Sequence, residues 1–266
     1  MLWSSLNEVP WVTIWTHYDD VLQLMQKNDL TELDAWYLVS FPSILQTREP
    51  KPYITHEELQ RLMEWKLKKG KWCVTRRPQL MKFIMSLSEK EVEKASREAF
   101  ETLKAGDLRT ATEALCVLKG VGPATASAVL AAYDESVPFM ADEALDAIAG
   151  IIGPRKYTLP HFLSFVKVLR AKAKWLNEQR VANNDDKSEA TDLWTAQRVQ
   201  LCLYAEAHNE ALTLSTKAVL LDAKRKRHNV ATMPLSSEKE VGKVHEEDAK
   251  DQSLRRSQRK RQRRAG

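Results

Sequence analysis

The sequence predicts an all-α fold. Only 8 of its 266 residues are glycine, and no alternation of apolar and polar residues persists beyond a few positions. Apolar residues instead recur three and four apart, which is the helical period. A hydrophobic content of 43% is enough to bury the core of one or two domains.

The elements follow in order. Thr55-His56-Glu57-Glu58 fits a capping box, in which a threonine hydroxyl and a glutamate each satisfy an orphan amide. Leu59, Leu62, Met63 and Leu67 then share one face, and Gly70 is expected to stop that helix. Ser88-Glu89-Lys90-Glu91 repeats the box ahead of Val92, Ala95, Ala99 and Leu103. Leu108, Ala111, Leu115 and Leu118 stripe the next helix. A long one after Pro160 carries Phe162, Phe165, Val166, Leu169, Ala173 and Leu176. Residues 183–189 are polar and read as a loop. Residues 192–222 read as a helix containing Trp194, Val199, Leu203 and Leu212. There are no internal repeats.

Charge divides the chain. Residues 224–266 hold 14 Lys and Arg against 6 Asp and Glu, a net +8, while residues 1–223 hold 27 against 30, a net −3. The expected organisation is an all-α domain over 1–223 and a disordered basic tail over 224–266. The tail has too few large apolar residues to offset the entropy of ordering it. Its clusters, Lys224-Arg225-Lys226-Arg227 and Arg259-Lys260-Arg261 within 255–264, have the composition of nuclear import signals or nucleic-acid patches. Nucleic-acid binding by the body must rest on a local patch, because its overall field is slightly acidic.

Composition also excludes several classes. No apolar run approaches the ~18–20 residues of a membrane helix, and the first residues lack the pattern of a signal peptide. Cys73, Cys116 and Cys202 are odd in number and far apart, which speaks against a disulfide framework. Three thiolates cannot complete a four-cysteine iron–sulfur cluster. The six histidines form no spaced pair, so no metal and no other cofactor is expected. No Ser-His-Asp set or phosphate-binding glycine loop of the nucleoside-triphosphatase type is present.

The most informative window is residues 107–132, centred on Leu118-Lys119-Gly120-Val121-Gly122-Pro123. One amphipathic helix ends at Leu118 or Lys119. Gly120 and Gly122 permit a tight reversal with positive φ. Pro123 suits the first turn of the next helix, where a missing N–H costs nothing. Ala124, Ala126 and Ala128 let the two helices pack closely. Such a reversal leaves backbone amides pointing outward at a helix N-terminus, and phosphate is their natural anion. The expected contacts are the backbone at Gly120, Val121 and Gly122, the charge of Lys119 and the hydroxyl of Thr125. They hold the nucleic-acid backbone without reading sequence.

The window resembles the helix-hairpin-helix of the DNA glycosylase superfamily, whose members carry Leu-Pro-Gly-Val-Gly and then Thr-Ala in a small-residue helix. The similarity covers about residues 105–155, with weaker all-helical agreement on both sides. The chain as a whole also resembles a eukaryotic branch of helical proteins with the same hairpin. The resemblance implies a helical glycosylase-like domain and DNA as partner. It also implies that Asp142, 20 residues after Gly122, corresponds to the catalytic aspartate that stabilises oxocarbenium-like charge. Bifunctional members place a nucleophilic lysine immediately before Thr-Ala. Ala124 stands there in this chain, which excludes a Schiff-base mechanism from that position. Glu143-Ala144 replaces the Thr-His that often follows the aspartate, and an acidic neighbour opposes phosphate approach. Without the resemblance, Asp142 reads as a plain N-cap, with Glu143 complementing the helix dipole.

The one basic patch of the body is Trp65-Lys66-Leu67-Lys68-Lys69-Gly70-Lys71-Trp72. Lys68, Lys69 and Lys71 are expected to contact phosphates. The other reading is an amphipathic helix end with its tryptophans in the core. The leading expectation is a nuclear nucleic-acid-binding protein that grips the DNA backbone through the hairpin, with an import receptor as partner of the tail. A monofunctional base-excision glycosylase using Asp142 and a helical protein-interaction scaffold are the alternatives.

Overall fold

The computed structural model describes residues 1–70, 77–182 and 193–209. The chain divides into compact units Met1–Leu221 and Asp222–Gly266, and only the first contains described residues. These are helical, with no strand among them.

The helices are α1 (Val9–Thr16), α2 (Tyr18–Leu24), α3 (Leu30–Ala35), α4 (Phe41–Thr47), α5 (His56–Lys69), α6 (Arg77–Met85) and α7 (Glu89–Lys104). They continue with α8 (Leu108–Cys116), α9 (Pro123–Tyr133), α10 (Asp142–Ala147), α11 (Ala149–Ile152), α12 (Leu159–Ala182) and α13 (Ala196–His208). A 3-10 turn, Leu2–Ser4, precedes α1, and a π-helical turn, Trp36–Ser40, links α3 to α4.

Local sequence explains most starts. Both capping boxes are present: the Thr55 side chain accepts from the Glu58 amide, and the Ser88 side chain from the Glu91 amide. Asp107 caps α8 by accepting from the Thr110 amide at 3.0 Å. Gly70 ends α5, but at φ −76° and ψ 170° it is extended rather than left-handed. The helix expected from 192 begins at Ala196, because Thr195 caps it by accepting from the Arg198 amide. Leu212 lies outside the described residues.

Helix α9 is the hub. Ala124 through Ala132 are all buried, as expected for a helix without a polar face. Its alanines leave room for α4, α5, α7, α8 and α12 to pack around it. Trp11, Trp65, Phe41, Phe100, Phe162 and Phe165 fill the surrounding core at 0% exposure. Each such side chain contributes roughly 1.5–3 kcal/mol by leaving water. A smaller cluster joins Tyr18, Val21, Leu22 and Leu30 to Leu201, Tyr204 and Ala205 of α13.

The same hub positions the segment before α10. The Ser127 hydroxyl on α9 accepts from the Met140 amide at 2.9 Å. The Gln197 side chain on α13 accepts from the Phe139 amide at 2.8 Å. Two packed helices thereby fix the backbone that delivers Asp142.

Candidate nucleic-acid interface

The hairpin is built as a tight reversal between α8 and α9. After Cys116, the Leu118 amide donates to Leu115 O at 3.2 Å and the Val121 amide to Leu118 O at 3.0 Å. Gly120 takes φ +90°. Gly122 does not share that conformation: at φ −111° and ψ −178° it is extended and serves as the N-cap of α9. Its carbonyl accepts from the Thr125 and Ala126 amides at 2.8 and 2.9 Å, and Pro123 occupies the first turn. Among the described residues, the amides of Gly120, Gly122 and Ala124 have no acceptor.

The side chains at the tip divide into exposed and buried. Lys119 and Gly122 are exposed, and the Lys119 ammonium lies 4.8 Å from the Phe83 ring centroid on α6. Val121 is buried and offers only backbone. Thr125 is also buried, and its hydroxyl faces the Met63 sulfur at 3.8 Å. The expected phosphate contact from Thr125 is therefore corrected: one turn into α9, that position already faces α5.

The basic patch is corrected as well. Lys66 falls four positions beyond Leu62 and Lys69 four beyond Trp65, on the buried stripe of α5, and both are buried. The Lys69 ammonium lies 2.5 Å from Asp34 Oδ1 and also donates to the Tyr18 hydroxyl. Asp34 accepts from Trp65 Nε1 and from the Tyr18 hydroxyl, each at 2.7 Å. This lysine is a core ion pair and not a phosphate ligand. Lys68 is half-buried and paired with Asp29 at 2.8 Å. Lys71 lies outside the described residues, as do Lys224, Arg225, Lys226, Arg227, Arg259, Lys260 and Arg261.

Asp142 is not an N-cap. Ala141 holds that position, and Asp142 is the first residue of α10. Its Oδ1 accepts from the Tyr157 hydroxyl at 2.6 Å, and its Oδ2 lies 3.0 Å from Arg155 Nη1. Arg155 also reaches Asp146 at 3.5 Å. Asp142 lines a small cavity beside the hairpin, together with Ala124, Lys66, Met140, Tyr157 and Tyr204. The cavity measures about 10 Å³, room for about one water. Burial pushes the Lys66 ammonium down to about 8, with the negative charge of Asp142 acting in the opposite direction. Burial also raises the Tyr157 hydroxyl, reinforced by its hydrogen bond to Asp142.

Glu143 does not oppose phosphates at the surface as expected. It is buried, with Oε1 lying 3.7 Å from His208 Nε2 on α13. Sequence reasoning missed Lys66, Arg155 and Tyr157. Only the register of Lys66, four residues after Leu62, carried a usable signal.

Among the described residues, no cluster of His, Cys, Asp and Glu could hold a metal ion, and no helix is long and apolar enough to cross a membrane. Cys116 is half-buried and Cys202 buried, both as free thiols, while Cys73 lies outside the described residues. Comparison with protein-family models, with curated proteins and with solved structures found no match to the chain.

Proposed function

We propose that this protein binds the sugar–phosphate backbone of DNA through a helix-hairpin-helix of the DNA glycosylase type. The observation that carries the reading is the tip of the hairpin. The amides of Gly120, Gly122 and Ala124 have no acceptor among the described residues, and Lys119, next to Gly120 in the chain, is exposed. Amides at a helix start favour an anion through both hydrogen bonding and the helix dipole. The exposed Gly122, with no side chain, lets a phosphate approach the backbone. Lys119 supplies the charge, and Phe83 beneath it limits the directions that charge can take. Such contacts set position on the duplex and carry no sequence preference. The basic clusters of 224–266 add a non-specific electrostatic contribution and a signal for nuclear import.

Titration of a fluorescent duplex by anisotropy tests this reading. Lys119→Glu weakens binding about tenfold at low salt, because it places repulsion where attraction stood. Equal affinity for Lys119→Glu and wild type contradicts it.

One observation favours a second reading, a monofunctional base-excision glycosylase. Asp142 caps nothing and faces the cavity beside Ala124, at the base of the hairpin. In this reading its carboxylate stabilises positive charge developing on the sugar, after Arg155 and Tyr157 release it and the cavity widens to admit a base. Single-turnover excision on damaged duplexes measures this. Asp142→Asn lowers the rate by at least about a hundredfold, in the range of lost electrostatic stabilisation. Absence of excision by the wild type on every substrate removes this reading and leaves the backbone grip.

A further inference from the structure

Far along the chain from the hairpin, three indoles surround one cation. The Lys172 ammonium on α12 lies 5.1 Å from the Trp3 ring centroid, 5.4 Å from Trp11 and 4.3 Å from Trp175. Trp3 and Trp11 meet edge to face, with planes 73° apart and centroids 6.4 Å apart. Trp11 is fully buried, while Trp3 and Trp175 are half-buried. Trp3, Trp175 and Lys172 line a groove of about 540 Å³ together with Leu6 and Val168.

The chemistry of the occupant is unusual. A lysine ammonium is compact and strongly hydrated, and it normally keeps its water or takes a carboxylate. No carboxylate pairs with Lys172 among the described residues; its ammonium lies against the three indole rings. Burial lowers its proton affinity. A methylated ammonium spreads its charge over an apolar surface and gives up water easily. Boxes of aromatic faces therefore suit it better than they suit lysine.

We propose that Trp3, Trp11 and Trp175 form a binding site for a methylated ammonium group, which Lys172 occupies as an internal stand-in. The external ligand displaces Lys172, whose stem swings out to water. The ligand chemistry is that of trimethyllysine on a partner chain or of a choline-like small molecule. The site is independent of the DNA-binding reading.

The test uses the full chain, wild type and Lys172→Ala, with Lys172→Gln as a second variant and circular dichroism as the check on folding. The probes are a short peptide containing trimethyllysine, its unmethylated counterpart, choline, and 3,3-dimethylbutanol as the uncharged shape of choline. Tryptophan fluorescence and calorimetry report binding. Lys172→Ala binds a methylated probe about tenfold tighter than wild type and about tenfold tighter than the matching unmethylated or uncharged probe. Trp175→Leu in the same background removes that binding. Preference for the peptide assigns the site to a partner's side chain; preference for choline assigns it to a small molecule. No saturable binding by Lys172→Ala and Lys172→Gln, no gain over wild type, or equal binding of 3,3-dimethylbutanol overturns the proposal.

Discussion

A Cβ atom added to Gly120 would lie 2.9 Å from the Cβ of Phe83 on α6. Gly120 also has φ +90°, a region L side chains rarely adopt. The position is restricted twice, by its own backbone and by a neighbouring helix. Gly122, two residues on, has an extended backbone, and a Cβ there meets nothing within 4 Å. The two glycines of the motif thus have different duties: the first shapes the turn, and the second keeps its surface bare. Gly120→Ala is expected to lower stability by about 2–3 kcal/mol, from backbone strain and displacement of α6. Gly122→Ala should change it by less than about 1 kcal/mol. Urea denaturation of both variants checks this, and equal losses contradict the division of roles.

The pair of Asp34 and Lys69 is predicted to be structural. Lys69→Ala leaves the Asp34 carboxylate buried with its two neutral donors only, at a cost of about 3–5 kcal/mol. Chemical denaturation reads that loss. Lys69→Met together with Asp34→Leu restores much of it, because an apolar pair carries no uncompensated charge. Where such a variant remains folded, its duplex affinity should match wild type. A selective loss of DNA binding would instead return Lys69 to the interface.

The contribution of Lys66 to stability should rise with pH above neutrality. Folded Lys66 gives up its proton near 8, whereas an unfolded lysine holds it to about 10.4. Between those values the unfolded chain binds more protons, so deprotonation favours the folded state. The gain from pH 7 to pH 9.5 is on the order of 1–2 kcal/mol. Burial acts in the opposite sense on the thiols of Cys116 and Cys202 and on the hydroxyls of Tyr18, Tyr37 and Tyr204, which stay protonated after their unfolded counterparts ionise. Lys66→Met reduces the rise. Urea midpoints of wild type and Lys66→Met across this range decide it, and a difference, wild type minus Lys66→Met, that does not grow from pH 7 to 9.5 contradicts the assignment.

Signals contained within a few residues are legible in the sequence. The capping boxes at Thr55 and Ser88 and the turn at Gly120-Pro123 depend on bonds between near neighbours, and residue type specifies them. Lys69 was misread because its burial depends on Asp34, 35 residues away, which periodicity does not reveal. Thr125 was misread for the same reason: α5 covers it from another part of the chain. Asp142 differed by one position, since Ala141 takes the cap and frees the carboxylate to meet Arg155 and Tyr157. Those two partners lie in the loop after α11, whose sequence carries no periodic signal.

Salt dependence separates the hairpin from the tail. A grip on about two phosphates gives a slope of log affinity on log salt near −2, at about −0.9 per phosphate. If the tail also binds, the net +8 of residues 224–266 is expected to make the slope of the full chain much steeper. Deleting 224–266 is expected to leave a weak, shallow component, read from anisotropy at several salt concentrations. Identical titrations for full-length and truncated protein contradict a binding role for the tail.

The most direct measurement concerns Gly122→Asp. Its backbone is extended, the space beside it is open, and aspartate is a favoured N-cap. The substitution should therefore preserve the fold while placing a negative charge where the phosphate is to sit. Duplex affinity at low salt, measured on protein whose thermal melt matches wild type, is predicted to fall by at least about tenfold. Unchanged affinity in that folded variant contradicts a phosphate grip by the hairpin.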